Sequence, residues 1–136
     1  MSQSKERSEK FERGLKTRRA VVGDAYVDKS IASADDFTWP MQVLVTENCW
    51  EDIWNRPGLD RRSRSILNLG MIAALNRPHE LRLHVRGAVN NGMSREELRE
   101  VCLQVACYCG FPAALDTQRI VLEVLAEIDA EVKGKK

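Results

Sequence analysis

Arg77, Glu80 and His84 recur at helical spacing in one short stretch of the chain. A histidine with a pKa of about 6.5 gives or takes a proton near neutral pH. Glu80 stands four residues before His84, on the same face of a helix. A carboxylate there orients an imidazole and holds its charge. Arg77 stands seven residues before it, also on that face, and a guanidinium pairs bidentately with carboxylates. The three therefore read as anion binder, orienter and acid. His79 is offset from His84 by ~140° around a helix, so it faces elsewhere and ranks second. It does lie near a helix start, where bound anions are favoured. Further arginines cluster at Arg61, Arg62 and Arg64, and at Arg82 and Arg86. Asn68 is the single polar residue in the apolar stretch 66–75. A buried amide needs partners, so it donates either to a ligand or to a neighbouring carbonyl. Each of these residues also has a plain structural explanation: surface ion pairing for the arginines, core packing for a helix histidine.

The cysteines offer less. Cys49, Cys102, Cys107 and Cys109 contain no Cys-x-x-Cys pair. In a helix the side chains of Cys107 and Cys109 point ~200° apart. A zinc site needs about four convergent ligands, and neither histidine is near in sequence, so no metal is expected. Buried free thiols are the expected state.

The chain has 136 residues, the size of one ordinary domain, and a single domain over 1–136 is expected. Lys and Arg number 21 against 20 Asp and Glu, a net charge of +1. That balance argues against a nucleic-acid or membrane-surface partner, which needs a basic excess. Hydrophobic residues at 43% and charged residues at 30% fit a globular protein. No apolar run approaches the ~18–20 residues that span a bilayer. The charged N-terminus has no apolar signal region. A cytoplasmic protein is expected.

The elements that must position these residues are helical. A polar first helix with expected mobility covers 2–22 and ends near Gly23. Residues 24–36 read as irregular and turn-rich. Asp35 or Asp36 caps a second helix, 37–54, with Pro40 in its first turn. Trp39, Trp50 and Trp54 belong to core or subunit interface. Arg56-Pro57-Gly58 is a stop. Asp60 caps a third helix over 61–75, whose apolar second half should be buried on most sides. Pro78 starts a fourth helix, 78–90, ended by Asn91-Gly92. Ser94 and Glu97 form a capping box opening a fifth, 95–108. Gly110 closes it, and a sixth runs over 112–132, leaving 133–136 to fray. Gly70 and Gly87 should permit close helix packing. The expected class is all-α, with about six helices.

Several motifs agree in order with one family. They are Gly23-Asp24-Ala25-Tyr26-Val27-Asp28, Trp54-Asn55-Arg56-Pro57-Gly58-Leu59, Asn76-Arg77-Pro78-His79-Glu80-Leu81-Arg82-Leu83-His84-Val85-Arg86-Gly87-Ala88 with Asn90-Asn91-Gly92, and Tyr108-Cys109-Gly110-Phe111-Pro112-Ala113-Ala114. Together they resemble the carboxymuconolactone decarboxylases over roughly 14–127. The wider superfamily includes the alkylhydroperoxidase D proteins, which carry a Cys-x-x-Cys and then a histidine one turn later. Here the turn reads Arg77-Pro78-His79-Glu80-Leu81 and only His84 matches, which counts against thiol chemistry.

The resemblance implies an alkylhydroperoxidase D-like helical fold in a homo-oligomer, often a hexamer, with no cofactor. It implies that 4-carboxymuconolactone loses CO2 to give 3-oxoadipate enol-lactone in protocatechuate breakdown. The lactone is the electron sink. The protein must hold the spectator carboxylate, stabilise the developing enolate with fixed donors and deliver a proton to carbon. His84 is then the proton donor and Glu80 its orienter. Arg77, Arg64, Arg82, Asn68 and His79 bind substrate. Two other readings remain: a thiol-dependent peroxidase working through Cys107 or Cys109, and a non-catalytic or drifted helical oligomer.

Overall fold

The computed structural model describes residues 5–135, and among these there is no strand. The chain divides after Asp60 into two compact units.

The first unit begins with α1, Glu9–Val22. It starts later than the expected helix because Ser8 caps it, accepting from the Phe11 N–H at 2.9 Å. Positions 2–4 of the expected helix lie outside the described residues. Phe11, Leu15, Val21 and Val22 bury one face of α1. Residues 24–36, expected to be irregular, instead carry α2, Asp24–Ser33. Only Val27 of α2 is buried, so the segment lacks the apolar period that marks a helix in sequence. Arg19 holds it by ion pairs to Asp28 at 2.6 Å and Asp24 at 3.5 Å.

The expected helix 37–54 is also revised. It divides into α3, Trp39–Leu44, and a π-helical segment, Val45–Glu51. Asp35 caps the entry to α3, as expected, and its carbonyl accepts from the Trp39 N–H at 2.9 Å. It forms a reciprocal turn with Thr38, each side chain accepting from the other's N–H at 2.9 Å. The wider π turn shows in the Asp52 N–H to Glu47 carbonyl and Trp54 N–H to Cys49 carbonyl bonds, both 3.0 Å. Trp50 and Trp54 are buried and stacked, with ring centroids 5.0 Å apart. The π segment runs against α1 at Gly14, where a Cβ would meet the Thr46 carbonyl oxygen at 2.1 Å.

The second unit is a four-helix bundle: α4, Arg61–Leu75; α5, Pro78–Asn90; α6, Arg95–Cys109; and α7, Phe111–Gly134. The packed pairs are α4–α5, α5–α7, α7–α6 and α6–α4, with a lighter contact of α4 on α7. Stripes at helical spacing build the core: Leu69 and Ala73; Leu81, Val85 and Ala88; Leu98, Cys102 and Val105; Ala114, Val121, Val124 and Leu125. The predicted capping box is present, with Ser94 Oγ accepting from the Glu97 N–H and Glu97 Oε1 from the Ser94 N–H. Gly110, at φ 93°, makes the corner into α7 in a backbone region closed to most side chains. α7 runs on to Gly134, beyond the expected end at 132.

Three packing expectations change. The apolar half of α4 is not buried on most sides: Leu67 and Leu75 are 54% and 64% exposed, and Ile66 and Met71 are also open. Gly70 has nothing within 4 Å of where a Cβ would stand, so it permits no close packing. Cys102 is buried, but Cys107 and Cys109 at the end of α6 are exposed.

Candidate active site

α5 carries the sequence-predicted stripe, and its neighbours decide what each member faces. Leu81, Val85 and Ala88 turn into the core. The next stripe around contains His84 and, seven residues on, Asn91. Asn91 Nδ2 donates to Ser65 Oγ at 2.8 Å and to the Arg61 carbonyl at 3.4 Å. That stripe therefore faces α4. On α4, Arg61, Arg64 and Asn68 follow the spacing that contains Ser65, and all three are half-buried. α4 and α5 run antiparallel through the short turn at Asn76 and Arg77. With Ser65 level with Asn91, Asn68 falls about one turn from the level of His84.

His84 is half-buried, with its Nδ1 turned into the protein. Burial pushes its pKa below the ordinary histidine value, and the Glu80 charge pulls it partly back up. Glu80 itself is exposed. The two residues thus interact as charge on charge. In the free protein the imidazole is neutral over more of the acid range than an exposed histidine.

The remaining predicted residues lie elsewhere on the bundle. Arg82, read as a substrate binder, faces α7 and commits its guanidinium to Glu123 and Glu127. Arg86 beside it pairs with Glu131 at 2.9 Å and Glu127 at 3.4 Å. Glu123, Glu127 and Glu131 recur every four residues along α7, so five charges form one ladder between the helices. Arg62 pairs with Glu97, the residue that completes the capping box. His79 is exposed near the start of α5. Arg77 is the N-cap residue of α5, with φ −115° and ψ 79°, and it lines a cavity of about 500 Å³. The same cavity contains Arg119, which no sequence pattern singled out. Its place on the same cavity as Arg77 depends on α7 packing against α5, which no local spacing encodes.

Among the described residues, no three His, Cys, Asp or Glu side chains converge as metal ligands. Burial pushes the Cys102 thiol up, away from the reactive thiolate. No helix among them is long and apolar enough to cross a membrane.

A model of the carboxymuconolactone decarboxylase family matches residues 41–123. The chain is 42% identical over 118 residues to the nitrosuccinic acid decarboxylase of Metarhizium robertsii, covering 87% of this chain and 82% of that protein. It is 33% identical over 120 residues to the 4-carboxymuconolactone decarboxylase of Acinetobacter baylyi, covering 88% and 90%. The family match runs across the division between the two units.

Proposed function

The chain belongs to the carboxymuconolactone decarboxylase family, and from that premise we propose a carboxy-lyase for small dicarboxylates that carry their own electron acceptor. Two substrates meet this description. The first is 4-carboxymuconolactone, converted to 3-oxoadipate enol-lactone and CO2. The motifs around Arg77 to Ala88 and the 33% identity to such an enzyme support it. The second is nitrosuccinate, favoured by the 42% identity to a decarboxylase of that acid.

Both reactions have one electronic plan. The bond between carbon and the leaving carboxylate breaks, and its electron pair passes into the rest of the substrate. In the lactone it moves through the ring double bond to the carbonyl oxygen; in nitrosuccinate it moves to the nitro group. A proton then returns to carbon. The protein must hold the spectator carboxylate, stabilise the oxyanion and supply that proton.

The observation that carries the proposal is the half-buried His84 coupled to Glu80 on the α4-facing stripe of α5. His84 is the proposed proton donor, and Glu80 holds its charged form. A dianionic substrate beside the ring favours the imidazolium further. Asn68 is the proposed donor to the developing oxyanion. Arg77 is the proposed carboxylate binder, with exposed His79 near it at the start of α5; Arg64 stands level with the far end of α5, about 20 Å along the helix. Arg82, already held by two glutamates, is left out of the binding set. The exposed apolar residues of α4 support assembly with further copies of the chain.

The test is CO2 release from each dicarboxylate, without added metal or cofactor, by wild type, His84→Asn and a variant with all four cysteines changed to serine. Turnover by wild type and the cysteine-free protein is expected. A loss of about a hundredfold or more is expected in folded His84→Asn. No CO2 from either substrate defeats the proposal. Loss in the cysteine-free protein would return the thiol reading.

A further inference from the structure

The cavity of about 500 Å³ lies where the end of α4, the start of α5, the end of α6 and the first half of α7 meet. Its floor is apolar: Ile72, Ala73, Leu81 and Ile120, of which Ala73 and Leu81 belong to the core. Arg77 stands on the α5 side and Arg119 on the α7 side. The carboxylate end of a short carbon skeleton, lying on such a floor, matches this distribution of apolar surface and charge. The size is also within the range of small-ligand sites.

The two guanidinium groups differ in their commitments. Arg77 is exposed, with no side-chain hydrogen bond or ion pair among the described residues. Arg119 gives one nitrogen to Asp116 at 2.7 Å, in a pair whose side chains are 65% and 62% exposed. An exposed pair three residues apart is weak and exchangeable. A guanidinium has five N–H donors, so Arg119 keeps several for an incoming carboxylate, which competes with Asp116, itself on the cavity wall. The cavity reaches Leu81, one helical turn before His84 on α5.

We infer that this cavity holds the spectator carboxylate of the dicarboxylate substrate between Arg77 and Arg119, with Arg119 selecting dicarboxylates over monocarboxylates. The inference rests on the decarboxylase reading for its substrate, and on the cavity alone for its anion.

Succinate, a stable dicarboxylate, is the probe. Calorimetric titration of the full chain should show succinate binding that weakens about tenfold in Arg119→Gln and in Arg77→Gln. Arg99→Gln, an exposed change on α6, should bind as wild type does. Cys109 lines the cavity and Cys107 does not, so succinate should slow iodoacetamide labelling of Cys109 but leave Cys107 unaffected. In turnover, Arg119→Gln should raise KM about tenfold with little change in kcat. No succinate binding by wild type, equal binding by Arg119→Gln, or equal protection of both cysteines would each overturn the inference. Succinate binding through Arg119 without turnover of either dicarboxylate would defeat the decarboxylase reading and leave the cavity standing. Turnover with an unchanged KM in Arg119→Gln would do the reverse.

Discussion

At the residue scale the chemistry turns on His84. Burial lowers its pKa, so the unfolded chain binds a proton there more readily than the folded one. The stability linked to His84 is therefore present above about pH 6.5 and lost as pH falls through the depressed value. Urea midpoints should fall between pH 7 and pH 5 in wild type and fall less in His84→Asn. As an acid, His84 is competent only when protonated, so kcat/KM should decline as pH rises through the same depressed pKa. Glu80→Gln removes a charge that raises it. That variant should move the declining limb to lower pH and lower kcat/KM at pH 7.5. An unmoved limb would separate Glu80 from the acid. The spacing of Glu80 and His84 was readable because both lie on one helix. The engagement of Arg82 was not, because its partners Glu123 and Glu127 stand 41 and 45 residues later. Arg119 went unseen for the same reason.

At the element scale the clearest sequence signals were caps and stops. The capping box of α6 was legible because its two members are three residues apart and bond each other. Ser94→Ala should cost about 1 kcal/mol of stability, measured by urea unfolding. Glu97→Ala should cost more, because Glu97 also pairs with Arg62 of α4. Equal losses would mean that the interhelical pair contributes nothing. α2 was illegible because it buries one side chain. The π segment was illegible because a hydrogen bond lengthened by one residue leaves no mark on composition. Its close approach to α1 at Gly14 is nonetheless sharp. Gly14→Ala should destabilise the protein by about 3 kcal/mol or more, since the methyl group meets backbone that has little room to retreat. A Tm equal to wild type would contradict the packing described.

For the whole molecule, the all-α class followed from helical spacing almost everywhere, but burial did not. An apolar run reads as core whether it faces the bundle or a second copy of the chain. Ile66, Leu67, Met71 and Leu75 of α4 are exposed in the single chain, which supports the proposed assembly. Leu67→Asp should leave the helical content intact and lower the mass seen in sedimentation; an unchanged mass would place the interface elsewhere. The placement of the indole rings has a separate consequence. Trp39, Trp50 and Trp54 are the chain's three tryptophans, and all belong to the unit that ends at Asp60. Intrinsic emission therefore reports on α1, α2, α3 and the π segment, while the bundle that carries His84 is spectroscopically dark apart from Tyr108. A fluorescence melt follows one half of the protein and circular dichroism follows both. Where the two curves part, the unit bearing the proposed chemistry has its own transition temperature.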